Sequence, residues 1–347
     1  MNRILVIGPS WVGDMVMAQS LFMTLRDGDP SCEIDVLAPK WSLRLTARMS
    51  EVNCGIEWPL GHGRLGLLRR VSFGQELRSR KYRQAIVLPN SLKSALVPLF
   101  AHIPTRTGYR GEMRYGLIND MRVLDPSRLP QTVQRFVALG LEPDEVLPRS
   151  VPRPHLVADP INAKNVRKRL GLSLAGPVVC MAPGAEYGPA KQWPLEHYAA
   201  LVRWLIAQGV QVWLLGSARD KLVGDRITEL AGGQGRNLCG LTELDDSLDL
   251  IAQADVVITN DSGLLHVAAA LRRPLVAIYG SSTPAHTPPL SDYATTIYLG
   301  LECSPCFERS CPLGHTRCLT EISVSQVQTE IEGCLTESSH TTPSVLE

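Results

Sequence analysis

Three stretches of the chain place polar side chains where an apolar run stops and a helical pattern begins. In ILVIGPSWVGDMVMAQSL, residues 4–21, the turn PSWVGD holds one carboxylate, Asp14. The turn is neither GxGxxG nor GK[ST], so it matches neither the dinucleotide fingerprint nor the P-loop. A negative charge there would repel a phosphate. It suits a general base that takes a proton from an attacking hydroxyl. The alternative is a residue that simply caps the following helix.

The second stretch is VITNDSGLLHVAAAL, residues 257–271. A buried strand ending at Thr259-Asn260 runs into a helix that starts near Ser262-Gly263. Gly263 permits close backbone approach, and the free amides and positive dipole end favour a phosphate. His266, one turn in, could donate to the same anion or face the core. Asp261 could cap the helix or hold a sugar hydroxyl. The third stretch is APGAEYGPAKQWPLEHY, residues 182–198. There Lys191 sits in a Gly- and Pro-rich loop, as a point charge for a diphosphate or as a surface lysine. Farther on, LLGSARD offers Gly216, Ser217 and Asp220 at a strand end, with Asp220 a candidate for ribose hydroxyls. CGLTELDD follows, with Leu241 and Thr242 placed to wall an adenine. A cation, a helix N-terminus and polar groups at successive strand ends describe a nucleotide-diphosphate site at the carboxyl edge of a parallel sheet.

The elements that must position these groups alternate. Strands ILVIG, EIDVLA and QAIVLP, then VVCMAPG, QVWLLGS, DVVITN and LVAIYG, are interleaved with amphipathic helical stretches. That order predicts βαβ units and parallel sheets covered on both faces. A Pro-rich stretch at 151–163 breaks the rhythm and reads as a linker. The expected organisation is an α/β chain of two doubly wound domains: 1–150 for the acceptor, 164–335 for the donor, then a flexible tail at 336–347. Two such domains would place a ligand cleft at their carboxyl strand ends.

The 347 residues are 44% hydrophobic with a net charge of +1, which predicts packed cores and no overall basic footprint for nucleic acid. Residues 60–135 nevertheless hold 14 Lys and Arg against 4 Asp and Glu. This local excess predicts an anionic partner for the N-terminal half, or a solvated basic face. No apolar run is long enough to span a bilayer, and the start reads poorly as a signal peptide. A cytoplasmic setting follows as the expectation, with the nine cysteines as thiols.

GPSWVGDMVMAQSL, VLPNSLKSALVPLFAHIPTRTGYRGEMRYGLIND, PGAEYGPAKQWP and TNDSGLLHVAAALRRPLVAIYG together resemble glycosyltransferase family 9, the heptosyltransferases of lipopolysaccharide core synthesis. The resemblance covers nearly the whole chain. It implies the GT-B fold of two Rossmann-like domains and an inverting transfer without a cofactor or a catalytic metal. It further implies Asp14 as the base, and Lys191, Asp261, Ser262, Gly263 and His266 around the donor, ADP-L-glycero-β-D-manno-heptose. The implied acceptor is an anionic lipopolysaccharide core, heptosyl-Kdo2-lipid A, or alternatively Kdo2-lipid A or a later core. Lys93, Arg106, Arg110 and Arg114 are then candidate acceptor contacts, while Arg64, Arg69 and Arg70 could touch the anionic inner-membrane surface. Within LECSPCFERSCPLGHTRCL, Cys303, Cys306, Cys311 and Cys318 with His315 are either reduced thiols or a structural zinc site of irregular spacing. An NAD-dependent oxidoreductase and a non-catalytic scaffold are the rival readings. The first is disfavoured by the missing GxGxxG, and the second would tolerate loss of Asp14.

Overall fold

A computed structural model describes residues 2–59, 66–143 and 145–340. The chain divides into two compact units, residues 1–157 and 158–347. In the first unit the order is β1 (Arg3–Ile7), α1 (Val12–Gly28), β2 (Glu33–Ala38), α2 (Lys40–Thr46), β3 (Val52–Glu57), α3 (Leu67–Leu77), β4 (Gln84–Val87), α4 (Leu96–Phe100), β5 (Thr105–Tyr109), β6 (Asp120–Arg122) and α5 (Thr132–Ala138). All six strands are parallel, in the order β3-β2-β1-β4-β5-β6. The order reverses between β1 and β4, which is where doubly wound sheets open a crevice at their carboxyl edge.

The second unit contains α6 (Pro160–Leu170), β7 (Val178–Ala182), α7 (Leu195–Ala207), β8 (Gln211–Leu214), α8 (Lys221–Leu230), β9 (Arg236–Asn237), α9 (Leu244–Ile251), β10 (Val256–Asn260), α10 (Gly263–Ala270), β11 (Leu275–Tyr279), β12 (Ala294–Tyr298), α11 (Arg317–Thr320) and α12 (Val324–His340). Its sheet, β12-β11-β10-β7-β8-β9, is again parallel and has the same winding, with the reversal between β7 and β10. Both units are Rossmann-like, the pair of domains that defines the GT-B class.

Burial explains which strands stand out as apolar runs. Every residue of β7, β10 and β11 is buried, as expected of central strands covered by helices on both faces. In β3 only Ile56 is buried, and β12 is mostly half-buried. Edge strands need no continuous apolar run, so β3, β6, β9 and β12 carry no such signal. β5 lies inside the sheet, but Arg106 and Gly108 break its run. Helix α1 is buried around most of its first half, from Met15 to Phe22. Gly8 lies against this helix: a Cβ there would stand 2.6 Å from the methyl carbon at the flexible end of Met15.

Two boundaries differ from the sequence-based expectation. Helix α6 begins at Pro160, inside the stretch expected as linker. Asp159 caps it by accepting from the amides of Ile161 and Asn162 at 2.9 and 3.1 Å, with Pro160 in the first helical position. Helix α12 runs to His340, through the start of the expected tail, and 341–347 lie outside the described residues. Among the described residues no helix is long and apolar enough to cross a membrane.

The loops at the carboxyl edge of the first sheet are held from beneath by two buried arginines. Arg70 stacks on Trp58, 4.4 Å from the ring centroid, and donates to the Lys93 carbonyl at 3.0 Å. Arg114 is fully buried and donates to the carbonyls of Pro89 at 2.6 Å and Tyr109 at 2.6 Å, and to Asn90 Oδ1 at 3.0 Å. Replacing Arg114 by Leu removes the buried bond to the Tyr109 carbonyl, while the Pro89 carbonyl keeps the Ser94 hydroxyl at 3.0 Å and Asn90 is exposed. Arg114→Leu is therefore expected to lower unfolding stability by about 1–3 kcal/mol, the cost of one buried group left unsatisfied, read from urea denaturation of the full chain. A change within experimental error would refute the clamp.

Candidate active site

The reversal point of the second sheet gathers the strongest group of polar side chains. Strand β10 ends at Asn260, whose side chain is fully buried. Its Oδ1 accepts from the Trp193 amide at 3.1 Å and the Tyr198 hydroxyl at 3.0 Å, and its Nδ2 donates to the Pro183 carbonyl at 2.8 Å. One amide thus ties the end of β10 to both ends of the loop that follows β7, the loop carrying Lys191. The next residue, Asp261, is buried and accepts through Oδ2 from the Lys191 ammonium and from the Ser282 hydroxyl. A buried carboxylate needs such partners, since desolvation would otherwise outweigh the attraction.

Ser262 is the N-cap of α10 but makes no side-chain cap; its hydroxyl pairs with Thr259 Oγ1 at 3.0 Å. The positive end of α10 and an ammonium with three donors therefore meet at one strand end. Lys191 also lies 5.0 Å from the Tyr187 ring centroid, and Arg309 lies 5.1 Å from the same ring. His266, one turn into α10, is buried. Burial pushes its pKa down to about 4, with Lys191 acting in the same direction and Asp261 against it. At neutral pH His266 is therefore an uncharged imidazole, able to donate one N–H but not to supply a cation.

Lys191, Asp261, Ser262, Gly263 and His266 are thus brought together. Ser281, Ser282, Asn260, Tyr187 and Arg309 join them without having been singled out from sequence. Asn260 did leave a trace, as a polar residue closing the apolar run VVIT. The segment 303–311 braces the same loop. Tyr187 donates to the Phe307 carbonyl at 2.6 Å, the Ala190 amide to Arg309 O at 3.1 Å, and the Phe307 amide to Ser281 O at 2.7 Å. Gly188 has φ +158°, and a Cβ there would lie 2.3 Å from the Arg309 carbonyl oxygen. Among the described residues no three His, Cys, Asp or Glu side chains are placed to share a metal ion, and Cys303, Cys306, Cys311 and Cys318 are free thiols.

The groups expected along the nucleoside occupy successive strand ends, but some are already engaged. Asp220 Oδ2 accepts from the Ser217 amide and hydroxyl, both at 2.8 Å. Its other oxygen lies where a Gly184 side chain would stand, 2.3 Å from the ideal Cβ position. Asp220 and Ser217 therefore close a turn against the neighbouring loop, and Gly184 and Gly216 leave room for it. Thr242 pairs with Ser247 at 2.9 Å, whereas Leu241 is exposed.

In the first unit Asp14 is the third residue of α1, and Trp11 holds the N-cap position, so Asp14 is not the cap residue itself. It is half-buried in the first turn of the helix that follows β1, the strand at which the sheet order reverses. The expected acceptor arginines do not share one fate. Arg110 is exposed and Lys93 half-buried. Arg114 is buried as described above and offers no free face to an acceptor. Arg106 lies on β5 and donates to the carbonyls of Leu117 at 2.7 Å and Ile103 at 2.6 Å. Arg70 is likewise buried, and Arg69 pairs with Glu76 at 2.9 Å, so neither is a bare cation for a lipid surface. Arg64 lies outside the described residues.

His266 yields a test by titration. Its folded pKa lies below the ordinary value of 6.5, so protonation favours the unfolded chain. Its contribution to stability is complete above pH 6.5 and is lost as pH falls toward 4, at up to about 1.4 kcal/mol per pH unit. His266→Gln should flatten the stability curve between pH 6.5 and 4, followed by urea denaturation at each pH. Parallel curves for the two proteins would contradict the assignment.

Comparison with known proteins agrees with this geometry. The model of the family described as "Glycosyltransferase family 9 (heptosyltransferase)" matches residues 70–317. Lipopolysaccharide heptosyltransferase 2 of Escherichia coli K12 is 46% identical over 342 residues, spanning 96% of this chain and 98% of that protein. Lipooligosaccharide heptosyltransferase 2 of Haemophilus influenzae is 49% identical over 309 residues, 86% of this chain and 88% of that one. The solved structure of the E. coli ADP-heptose lipopolysaccharide heptosyltransferase II superposes with a TM-score of 0.87 at 45% identity, covering 98% of this chain and 100% of that one. The chain belongs to glycosyltransferase family 9, the heptosyltransferases.

Proposed function

We propose that this glycosyltransferase moves L-glycero-D-manno-heptose from ADP-heptose to the first heptose of the lipopolysaccharide inner core, heptosyl-Kdo2-lipid A, with inversion at the anomeric carbon. The observation that carries the reading is the 46–49% identity, over 86–96% of the chain, to proteins named heptosyltransferase 2. The polar cluster at the end of β10 supplies the chemistry. Lys191 and the N-terminus of α10 at Ser262-Gly263 hold the diphosphate and stabilise the charge that grows on it as the glycosidic bond breaks. Asp261 orients the ammonium, and neutral His266 donates to the donor's oxygens. In this reading diphosphate, ribose and base follow one another along the strand ends β10, β7, β8 and β9. Gly216, Ser217 and Asp220 frame the ribose, and Leu241 and Thr242 wall the adenine.

Asp14 accepts the proton of the attacking acceptor hydroxyl. A single inverting displacement needs one such base, not a pair of carboxylates sharing acid and base roles. Lys93 and Arg110 contact the carboxylates and phosphates of the acceptor. Arg114 and Arg106 act on it only through the loops they hold. Work on a lipid-linked acceptor fits a protein at the cytoplasmic face of the inner membrane.

The test is ADP release from ADP-heptose with purified protein, given either Kdo2-lipid A or heptosyl-Kdo2-lipid A. Turnover should appear with the heptosylated acceptor alone. Asp14→Ala should lower kcat by about 10²–10⁴-fold, the range for loss of a general base. Turnover on Kdo2-lipid A instead would make the reaction the first heptosyl step, and an undiminished Asp14→Ala variant would return Asp14 to a structural role.

A further inference from the structure

The charges gathered at the end of β10 fall short of a diphosphate. The Lys191 ammonium is paired with Asp261, buried beside it, so the two together carry no net charge. His266 is neutral in its buried position. The N-terminus of α10 adds only a partial positive charge, roughly half an elementary charge. A sugar nucleotide brings two negative charges on its diphosphate. The departing nucleoside diphosphate carries a third, because the electron pair of the broken C–O bond stays on its terminal oxygen. The site as described so far therefore lacks a cation.

Of the cations that follow β8, Arg219 is paired with Glu186 at 2.8 Å and Lys221 with Asp225 at 2.6 Å. Arg309 differs from them. It is exposed, and among the described residues no carboxylate or carbonyl takes its guanidinium. Its partner is an aromatic ring. The guanidinium carbon lies 5.1 Å from the Tyr187 ring centroid, and the Lys191 ammonium lies 5.0 Å from the same centroid. A cation against a ring is attracted to it while its N–H donors stay available. The backbone beneath Arg309 is fixed to the loop that carries Lys191. Its carbonyl accepts from the Ala190 amide at 3.1 Å, and at Gly188 a Cβ would stand 2.3 Å from that carbonyl oxygen. The Tyr187 hydroxyl donates to the Phe307 carbonyl at 2.6 Å, which ties the ring to the same segment. The loop after β7 and the segment before α11 thus hold two cations against one ring, at the strand ends where Asp261 and α10 begin.

We propose that Arg309 is a second cation for the diphosphate of the donor. Its guanidinium takes phosphate oxygens that Lys191 leaves free, and it stabilises the charge that grows there as the glycosidic bond breaks. Lys191 acts as a point charge already shared with Asp261, whereas the guanidinium presents a planar fork that fits two phosphate oxygens. The proposal rests on the nucleotide-diphosphate reading of this site given above. It adds the residue that makes the site net positive, and it gives the segment 303–311 a part in binding besides bracing the loop.

The test is calorimetric titration of ADP and of AMP into the full chain and into Arg309→Gln, Arg309→Lys and Arg226→Gln. Arg309→Gln should weaken ADP at least tenfold. It should weaken AMP far less, and AMP binding also reports that the nucleoside pocket is intact in the variant. Arg309→Lys, which keeps the charge, should bind ADP more tightly than Arg309→Gln. Arg226→Gln removes a charge from α8, where Arg226 pairs with Glu229, and should bind ADP as the parent does. A loss for ADP below tenfold in Arg309→Gln, an equal loss for AMP, a lysine variant no better than the glutamine one, or a matching loss in Arg226→Gln would each overturn the proposal. A parent that binds neither nucleotide would instead refute the donor-site reading itself, and the proposal with it.

Discussion

One buried amide organises the carboxyl edge of the second sheet. Asn260 closes β10 and satisfies three partners at once: the Trp193 amide, the Tyr198 hydroxyl and the Pro183 carbonyl. A polar side chain in a fully buried position is tolerated only when its hydrogen bonds are made. Here those bonds do more than satisfy it. They fix both ends of the Lys191 loop to the strand that delivers Asp261 and the N-terminus of α10. The ammonium, the carboxylate and the helix dipole then come together without a long-range search by flexible side chains. Removing Asn260 would leave the Trp193 amide unpaired, with the Pro183 carbonyl held only by Gln192 Nε2 at 3.2 Å, and loosen the loop that carries the cation.

The two units repeat one strand order and use it differently. In both, the first strand and the strand after the reversal end at the chemically rich edge. In the second unit those ends carry a lysine, a buried aspartate and an uncapped helix start, which suits an anionic leaving group. In the first unit the equivalent turn carries Asp14, and no lysine or arginine occurs in it. Basic charge in that unit is divided. Some guanidinium groups, those of Arg70 and Arg114, are buried as struts, and Arg110 remains in water. Gly184, after β7, leaves room for the Asp220 carboxylate.

The central strands were legible because burial on both faces demands continuous apolar runs, and QAIVLP, VVCMAPG and LVAIYG are such runs. Edge strands such as β3 and β12 were not, since one side of each meets solvent or loops and polar residues interrupt the pattern. Among the candidate site residues, TNDSG was legible as a strand-to-helix junction, and Lys191 as a cation in a loop between a strand and a helix. The pairing of Lys191 with Asp261 was not, because the two lie 70 positions apart and only the parallel pairing of β7 with β10 joins them. The burial of Arg114 was hidden for a similar reason. A run such as RGEMRYG states charge, but not which arginine turns inward onto backbone carbonyls from residues 89 and 109.

The central claim is that Lys191, held by the Asn260 frame, grips the diphosphate of the nucleotide donor. Calorimetric titration of ADP and of AMP into the parent protein and Lys191→Ala tests it most directly. Removing the ammonium should weaken ADP at least tenfold, about 1.4 kcal/mol, and change AMP far less, because AMP lacks the second phosphate. Equal losses for both nucleotides, or no loss for ADP, would contradict the assignment of Lys191 to the diphosphate.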